Sequence, residues 1–277
     1  MSWDLLRCSE MPLPHALGAA NLRVMTTAGE PALTPSETAR RVKMAVIHAG
    51  AAFGHEASFA EAGRRLGLDP WAFYFGARAG VLGTVEAEVV IAACGFFAPG
   101  LVRPAWKSAL AATSPGELVR EDVRLCINWA RRHFASLPRI ERLADLAGRV
   151  VDAADASGRV LFAAWRAVSD PADDPAARTG LALLRLREHR GAGHLLAVAA
   201  EGLTPLAAIL AGPGPAKAAA NGWRPPYPAI TQEDAQRLNA AEQRTDTLAG
   251  MAYKTLTAHE RAELVELLRS AQQQVTR

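Results

Sequence analysis

The stretch Leu184-Arg185-Leu186-Arg187-Glu188-His189-Arg190-Gly191-Ala192-Gly193-His194-Leu195-Leu196 decides how the chain is read. A leucine-rich helical run meets two glycines, and a second apolar run begins at once. Glycine is a common residue just past a helix end, so the first helix is expected to stop at Gly191. Two readings of the polar side chains stay open. In one they form a solvated helix end, where Arg and His suit the negative C-terminal pole. In the other, His189, Arg190 and His194 line a polar pocket between two apolar runs. Beyond His194 the apolar run reaches Glu201-Gly202, and Leu203-Thr204-Pro205 starts a short helix to about Ala211. Two short helices about a tight glycine turn fit a helix-turn-helix.

Outward from this stretch the chain is alanine- and leucine-rich, with few aromatic and β-branched residues, which favours helix over strand. The expected fold class is all-α, a multi-helix bundle. Half of the 277 residues are apolar, enough for a sizeable core. The net charge of +3 is too small to imply a polyanionic partner by itself. Cys8, Cys94 and Cys126 are far apart and form no CxxC pair, so neither a disulfide scaffold nor a structural zinc site is indicated. A reduced cytoplasmic setting follows from this. No run reaches the ~18 apolar residues of a membrane helix, and residues 1–30 lack the pattern of a signal peptide. Residues 1–33 read as an arm or tail, with Met25 as an alternative start.

Helix starts are legible from capping residues. Thr34-Pro35-Ser36-Glu37 and Ser114-Pro115-Gly116-Glu117 read as capping boxes, and Asp69-Pro70 as a cap with Pro in the first turn. Thr231 caps a helix to about Ala249, and Thr257-Ala258-His259-Glu260 caps the last one. Pro- and Asp-rich residues 169–175 form the clearest linker, dividing a helical half at 34–169 from a second half at 170–277. Residues between Gly212 and Pro228 read as irregular loop. Gly76–Leu82, an apolar helix and Trp106 echo His189–Leu195, an apolar helix and Trp223. Chance similarity in an alanine-rich chain and two pseudo-repeated, winged-helix-derived halves both fit that echo. The aromatic residues between 71 and 106 read either as core or as one wall of a ligand pocket.

Leu186-Arg187-Glu188-His189-Arg190-Gly191 followed by Gly193-His194 resembles the signature of an actinobacterial helix-turn-helix family, distantly MarR-like. The resemblance extends to Ile47-His48-Ala49 with Glu56, to Tyr74-Phe75, Ala77-Arg78-Ala79 and Leu82-Gly83, and to Phe97-Ala98-Pro99. It covers roughly residues 35–277. His55 stands where the family suggests proline. Members of such a family are expected to carry a recognition helix and a short wing after the tryptophan at 223. Here Trp223-Arg224-Pro225-Pro226-Tyr227-Pro228 leads almost directly into Thr231, and prolines at that density cannot form a groove-reading helix. Only Lys217, Arg224 and Arg237 are basic nearby. The recognition helix and wing are therefore expected to be lost, which puts DNA binding in doubt.

The polar signature then serves something else. His48, Glu56, Tyr74, Arg78, His189, Arg190 and His194 are expected to converge. Arg78, Arg190 and Tyr74 would bind a substrate, with Trp106 and Phe97 excluding water. His189, His194, Glu56 and His48 would carry acid–base chemistry near neutral pH. His189 and His194 are five apart, not the i, i+4 pair of a helical zinc motif, and no metal site is expected; a cofactor is left undetermined. The resulting reading is a small-molecule-handling helical protein. As an enzyme of bacterial specialised metabolism it would act on a compact acidic or aromatic metabolite. The alternatives are a non-catalytic ligand sensor and a MarR-like transcriptional regulator. A homodimer is expected from the MarR-like ancestry and the apolar last helix, and no membrane association is expected.

Overall fold

Local capping chemistry sets most of the helix starts. Thr34 Oγ1 accepts from the Glu37 amide at 3.2 Å, Asp69 Oδ1 from the Trp71 and Ala72 amides, and Ser114 Oγ from Glu117. The capping boxes at Thr231–Asp234 and Thr257–Glu260 close in both directions. Those at residues 34 and 114 do not: Glu37 turns outward to Arg40 and Arg41, and Glu117 to Arg120. An exposed arginine one turn on competes successfully for the carboxylate.

The computed structural model describes residues 32–169 and 173–275. The N-terminal arm up to residue 31, with Cys8 and Met25, and linker residues 170–172 lie outside the described residues. Among the described residues there are thirteen α-helices and no strand. In order they are α1 (Pro35–Ala49), α2 (Ala57–Arg65), α3 (Pro70–Ala79), α4 (Ala87–Ala93), α5 (Pro99–Ala112), α6 (Pro115–Phe134) and α7 (Ile140–Ala153). There follow α8 (Val160–Ala167), α9 (Pro175–Ala200), α10 (Pro205–Ala211), α11 (Pro215–Ala220), α12 (Gln232–Gly250) and α13 (Ala258–Val275). The fold is an all-α multi-helix bundle.

Three sequence expectations are corrected here. The signature stretch is neither a helix end nor a turn: α9 runs unbroken for 26 residues through Gly191 and Gly193. The segment read as loop between Gly212 and Pro228 contains α11. Helix α5, with Pro104 inside it, had no sequence signal of its own. The reason for the first correction is burial. Helix α9 packs against α1, α6, α7, α8 and α12, and Leu181 through Leu186 are all buried in succession. A helix buried on every side shows no amphipathic period. Two interior glycines cost about 1 kcal/mol each, far less than the packing of so many neighbours contributes.

Gly180 shows how close that packing is. A Cβ there would lie 2.5 Å from Ala130 Cβ of α6 and 3.5 Å from Cys126 Sγ. Gly180→Ala is expected to lower stability by about 1–3 kcal/mol, although helix propensity alone favours alanine. Urea denaturation measures this, and a stabilised variant would mean that α6 and α9 separate freely.

The main core draws on α1 through α9, the turn Met251–Thr255 and α13, while Ala197, Val198, Leu203, Ala208 and Ala241 form a smaller core where α9 meets α10 and α12. Glu263 and Glu260 of α13 are clasped by Arg139, Arg142 and Arg149 around α7, which ties the last helix to the body. No single described helix is long and apolar enough to cross a membrane.

Candidate functional site

Because α9 is buried on every side, its ionisable residues point at different neighbours. One face, carrying Leu184, Arg187 and Glu188, looks across α3 and α6. Glu188, 2% exposed, holds Arg78 of α3 in a two-pronged pair, with Nε to Oε1 and Nη2 to Oε2 both at 2.9 Å. Arg187 Nη1 donates to the same Oε1 at 2.6 Å. The Tyr74 hydroxyl accepts from Arg78 Nη1 at 3.2 Å and from Arg187 Nη2 at 3.4 Å. Burial alone would raise the Glu188 pKa, but the two guanidiniums outweigh it and hold the carboxyl below the ordinary range. Arg78 is held protonated by the same pairing, against its own desolvation.

Beside this network lies Asp122 of α6, 4% exposed. Among the described residues no donor hydrogen-bonds to its carboxyl, and burial pushes its pKa up to about 7. Arg187 and Arg78 pull the other way without overcoming that burial, and Glu188 adds to it. Asp122, Tyr74, Arg78, Arg187 and Glu188 share a pocket of about 370 Å³ of empty space, its open mouth included. Phe53, Phe59, Trp165 and Leu184 give it apolar walls, and Gly50, Ala51 and Gly54 lie at its edge. A water-sized sphere has only about 40 Å³ to move in there, so a ligand must be compact or project through the mouth. Trp165 is fixed by Nε1 donating to the Arg78 carbonyl at 3.0 Å.

The remaining sequence-selected residues are elsewhere. His189, 3% exposed, packs edge-on against Phe162 of α8 at 4.9 Å. Its burial and the nearby Arg159 lower its pKa to about 4, so it is neutral at neutral pH. Arg190 and His194 face α12 and α1. Arg190 pairs with Asp246 at 2.7 Å, and Lys43 with Glu242 at 2.6 Å. Thr245 Oγ1 donates to the Ala241 carbonyl, so it receives a hydrogen bond from His194 Nδ1 at 3.0 Å. That assigns the neutral ring proton to Nδ1 and turns Nε2 toward Glu242, 3.8 Å away. Burial lowers the His194 pKa, partly offset by Glu242. Glu56 pairs at the surface with Arg132 and His133. His48, half-buried on the last turn of α1, does not line the pocket. Trp106 is a core residue, 1% exposed, whose Nε1 donates to the Val85 carbonyl. Phe97 packs on the Tyr74 ring at 5.6 Å and so supports the pocket from behind.

Of the residues selected from sequence, the structure thus brings Tyr74 and Arg78 together and distributes the histidines over other faces. The pocket's remaining polar groups, Asp122, Arg187 and Glu188, were not selected. A signal existed for Asp122: it sits on the apolar stripe of Val119, Val123, Cys126 and Ala130, where a carboxylate needs a reason. Among the described residues no group of three or more His, Cys, Asp or Glu side chains is placed to hold a metal ion.

At its C-terminal end α9 turns into α10 through Glu201–Thr204, with Gly202 at φ 73° and the two helices bent by 96°. This is the angle and turn length of a helix-turn-helix. A family profile described as a helix-turn-helix family matches residues 39–220. The chain belongs to that family. No curated protein and no solved structure matches it. The region matched to the helix-turn-helix family contains every residue that lines the pocket, and it ends at α11, before Trp223 and α12. The segment after α11 is docked on the α4–α5 loop. Asn221 Nδ2 and Trp223 Nε1 both donate to the Phe96 carbonyl, and the Ala98 amide donates to the Asn221 carbonyl at 2.9 Å. Phe96 also stacks on His194 at 5.3 Å, while its neighbour Phe97 packs on Tyr74.

Proposed function

We propose that this helix-turn-helix family protein is a ligand sensor, binding a small molecule in the α3–α6–α9 pocket. The observation that carries the reading is Asp122: a buried carboxyl without a hydrogen-bond donor, facing a cavity beside Arg187 and Tyr74. Its oxygens open onto the cavity and make no hydrogen bond to any described residue of the protein, so a ligand there can pair with the carboxyl. Phe96 and Phe97 support the sensing part, since Phe97 packs on the pocket's tyrosine while Phe96 packs on the small core at the α9–α10 turn. A non-catalytic role is favoured over the enzyme reading because none of His48, Glu56, His189 and His194 lines the pocket at Asp122.

Native mass spectrometry of the protein after exposure to a cytosolic metabolite extract should find a small bound compound. Arg187→Leu, which spares the Arg78–Glu188 pair, should lose it. Retention of the same compound by the variant would sink the pocket assignment.

Family membership favours a second reading, a DNA-binding regulator of MarR-like ancestry. Against base readout stand the brevity of α11, its single Lys217 and the prolines that follow Trp223; we read these as a lost recognition helix and wing. A regulator shifts duplex DNA with steep salt dependence. Absence of any shift at low salt is the expected result, and a salt-sensitive shift restores the regulator.

A further inference from the structure

The polar inventory of the pocket indicates its ligand's charge. Both Glu188 oxygens accept from guanidinium N–H groups, two at Oε1 and one at Oε2, and Arg78 is engaged at Nε, Nη1 and Nη2. The two lone pairs of the Tyr74 hydroxyl are met by Arg78 and Arg187, so its own O–H remains to donate. Arg187 uses only part of its fork of five N–H groups. Most of the open side-chain capacity left to a ligand is therefore donor, the acceptors being one lone pair on Glu188 Oε2 and Asp122 when it is ionised. Charge points the same way: Arg78 and Arg187 against Glu188 leave one surplus positive charge whenever Asp122 is neutral.

Resting on the sensor reading above, we infer that the pocket takes a small carboxylate, and that Asp122 takes up a proton from solvent as it binds. The ligand's oxygens accept from Arg187, from the Tyr74 hydroxyl and from the protonated Asp122. Its apolar part lies against Phe53, Phe59 and Trp165. The groups acting on Asp122 are Arg187 and Glu188 from α9, Arg78 from α3, and Glu121 and Cys126 from its own helix. Tyr74 of α3 shares the cavity. An ammonium ligand would face two guanidiniums. Asp122 also titrates where such proton uptake is measurable, its pKa standing at about 7.

Isothermal titration of the full chain with benzoate, benzyl alcohol and benzylamine, at about pH 6 and about pH 8 in two buffers of different ionisation heat, tests the inference. Benzoate should bind best. Its affinity should fall by up to about tenfold per pH unit above the Asp122 titration, with uptake approaching one proton per ligand. Asp122→Asn, whose amide is a permanent donor, should bind benzoate without pH dependence. Arg187→Leu should weaken it by about tenfold or more. A preference for benzylamine, affinity that rises with pH, a pH slope surviving in Asp122→Asn, or no benzoate binding each overturns the inference. If the metabolite found by native mass spectrometry is still lost in Arg187→Leu, the sensor reading stands and only the ligand class falls.

Discussion

Glu188→Ala is expected to destabilise the protein by about 3–5 kcal/mol, because it leaves two guanidiniums buried without their shared carboxylate. Arg78 and Arg187 side chains are 17% and 22% exposed, so water screens little of that loss. Glu188→Gln keeps the shape but not the charge and should fall between the two proteins. The double change Arg78→Met with Glu188→Leu removes one buried pair but leaves Arg187 without its carboxylate, so it should recover only part of the deficit. Urea midpoints across the four proteins measure the effect. A single alanine variant within about 1 kcal/mol of the parent would match a solvent-screened surface pair and would remove the network from the core.

Asp122→Asn is expected to stabilise the ligand-free protein at alkaline pH. The folded-state pKa of Asp122 lies above its unfolded value, at about 7 against 3.8. The stability it contributes is thus fully present below the unfolded value and is lost as pH rises through about 7. A gap of roughly three units, at 1.36 kcal/mol each, sets a ceiling of about 4 kcal/mol. His189 has the opposite sign: its pKa falls from 6.5 to about 4, so its contribution is present above 6.5 and lost as pH drops through 4. Between about pH 4 and 6.5 the two slopes oppose and largely cancel, so the parent's stability should be nearly level there and dip slightly toward 7. In Asp122→Asn only the His189 slope remains, and stability should rise with pH across that range. Thermal denaturation from about pH 4 to about pH 8 checks this, and a variant as level as the parent would place Asp122 in contact with bulk water.

The helical class and most of the helix starts were legible in the sequence. So were Tyr74 and Arg78, singled out by resemblance. The histidines misled. A helix carrying charged and imidazole residues in succession cannot aim them all at one cavity, and the choice among faces depends on which helices pack there. His189 went to Phe162, His194 to Thr245 and Phe96, and Glu188 to Arg78. Asp122 was overlooked because one carboxylate on an apolar stripe was averaged into the stripe.

Local chemistry fixes where the capped helices begin, since a cap is a bond between residues two or three apart and needs no tertiary partner; α5 and α11, which lack such a cap, were not legible that way. The all-α class of the described residues follows from propensity summed over long windows. Only the tertiary structure decided that α9 passes through Gly191 and Gly193 and that a pocket forms around Asp122. Both depend on helices distant in sequence, whose packing outweighs a local cost of about 1 kcal/mol per glycine and desolvates a carboxyl that would otherwise sit in water.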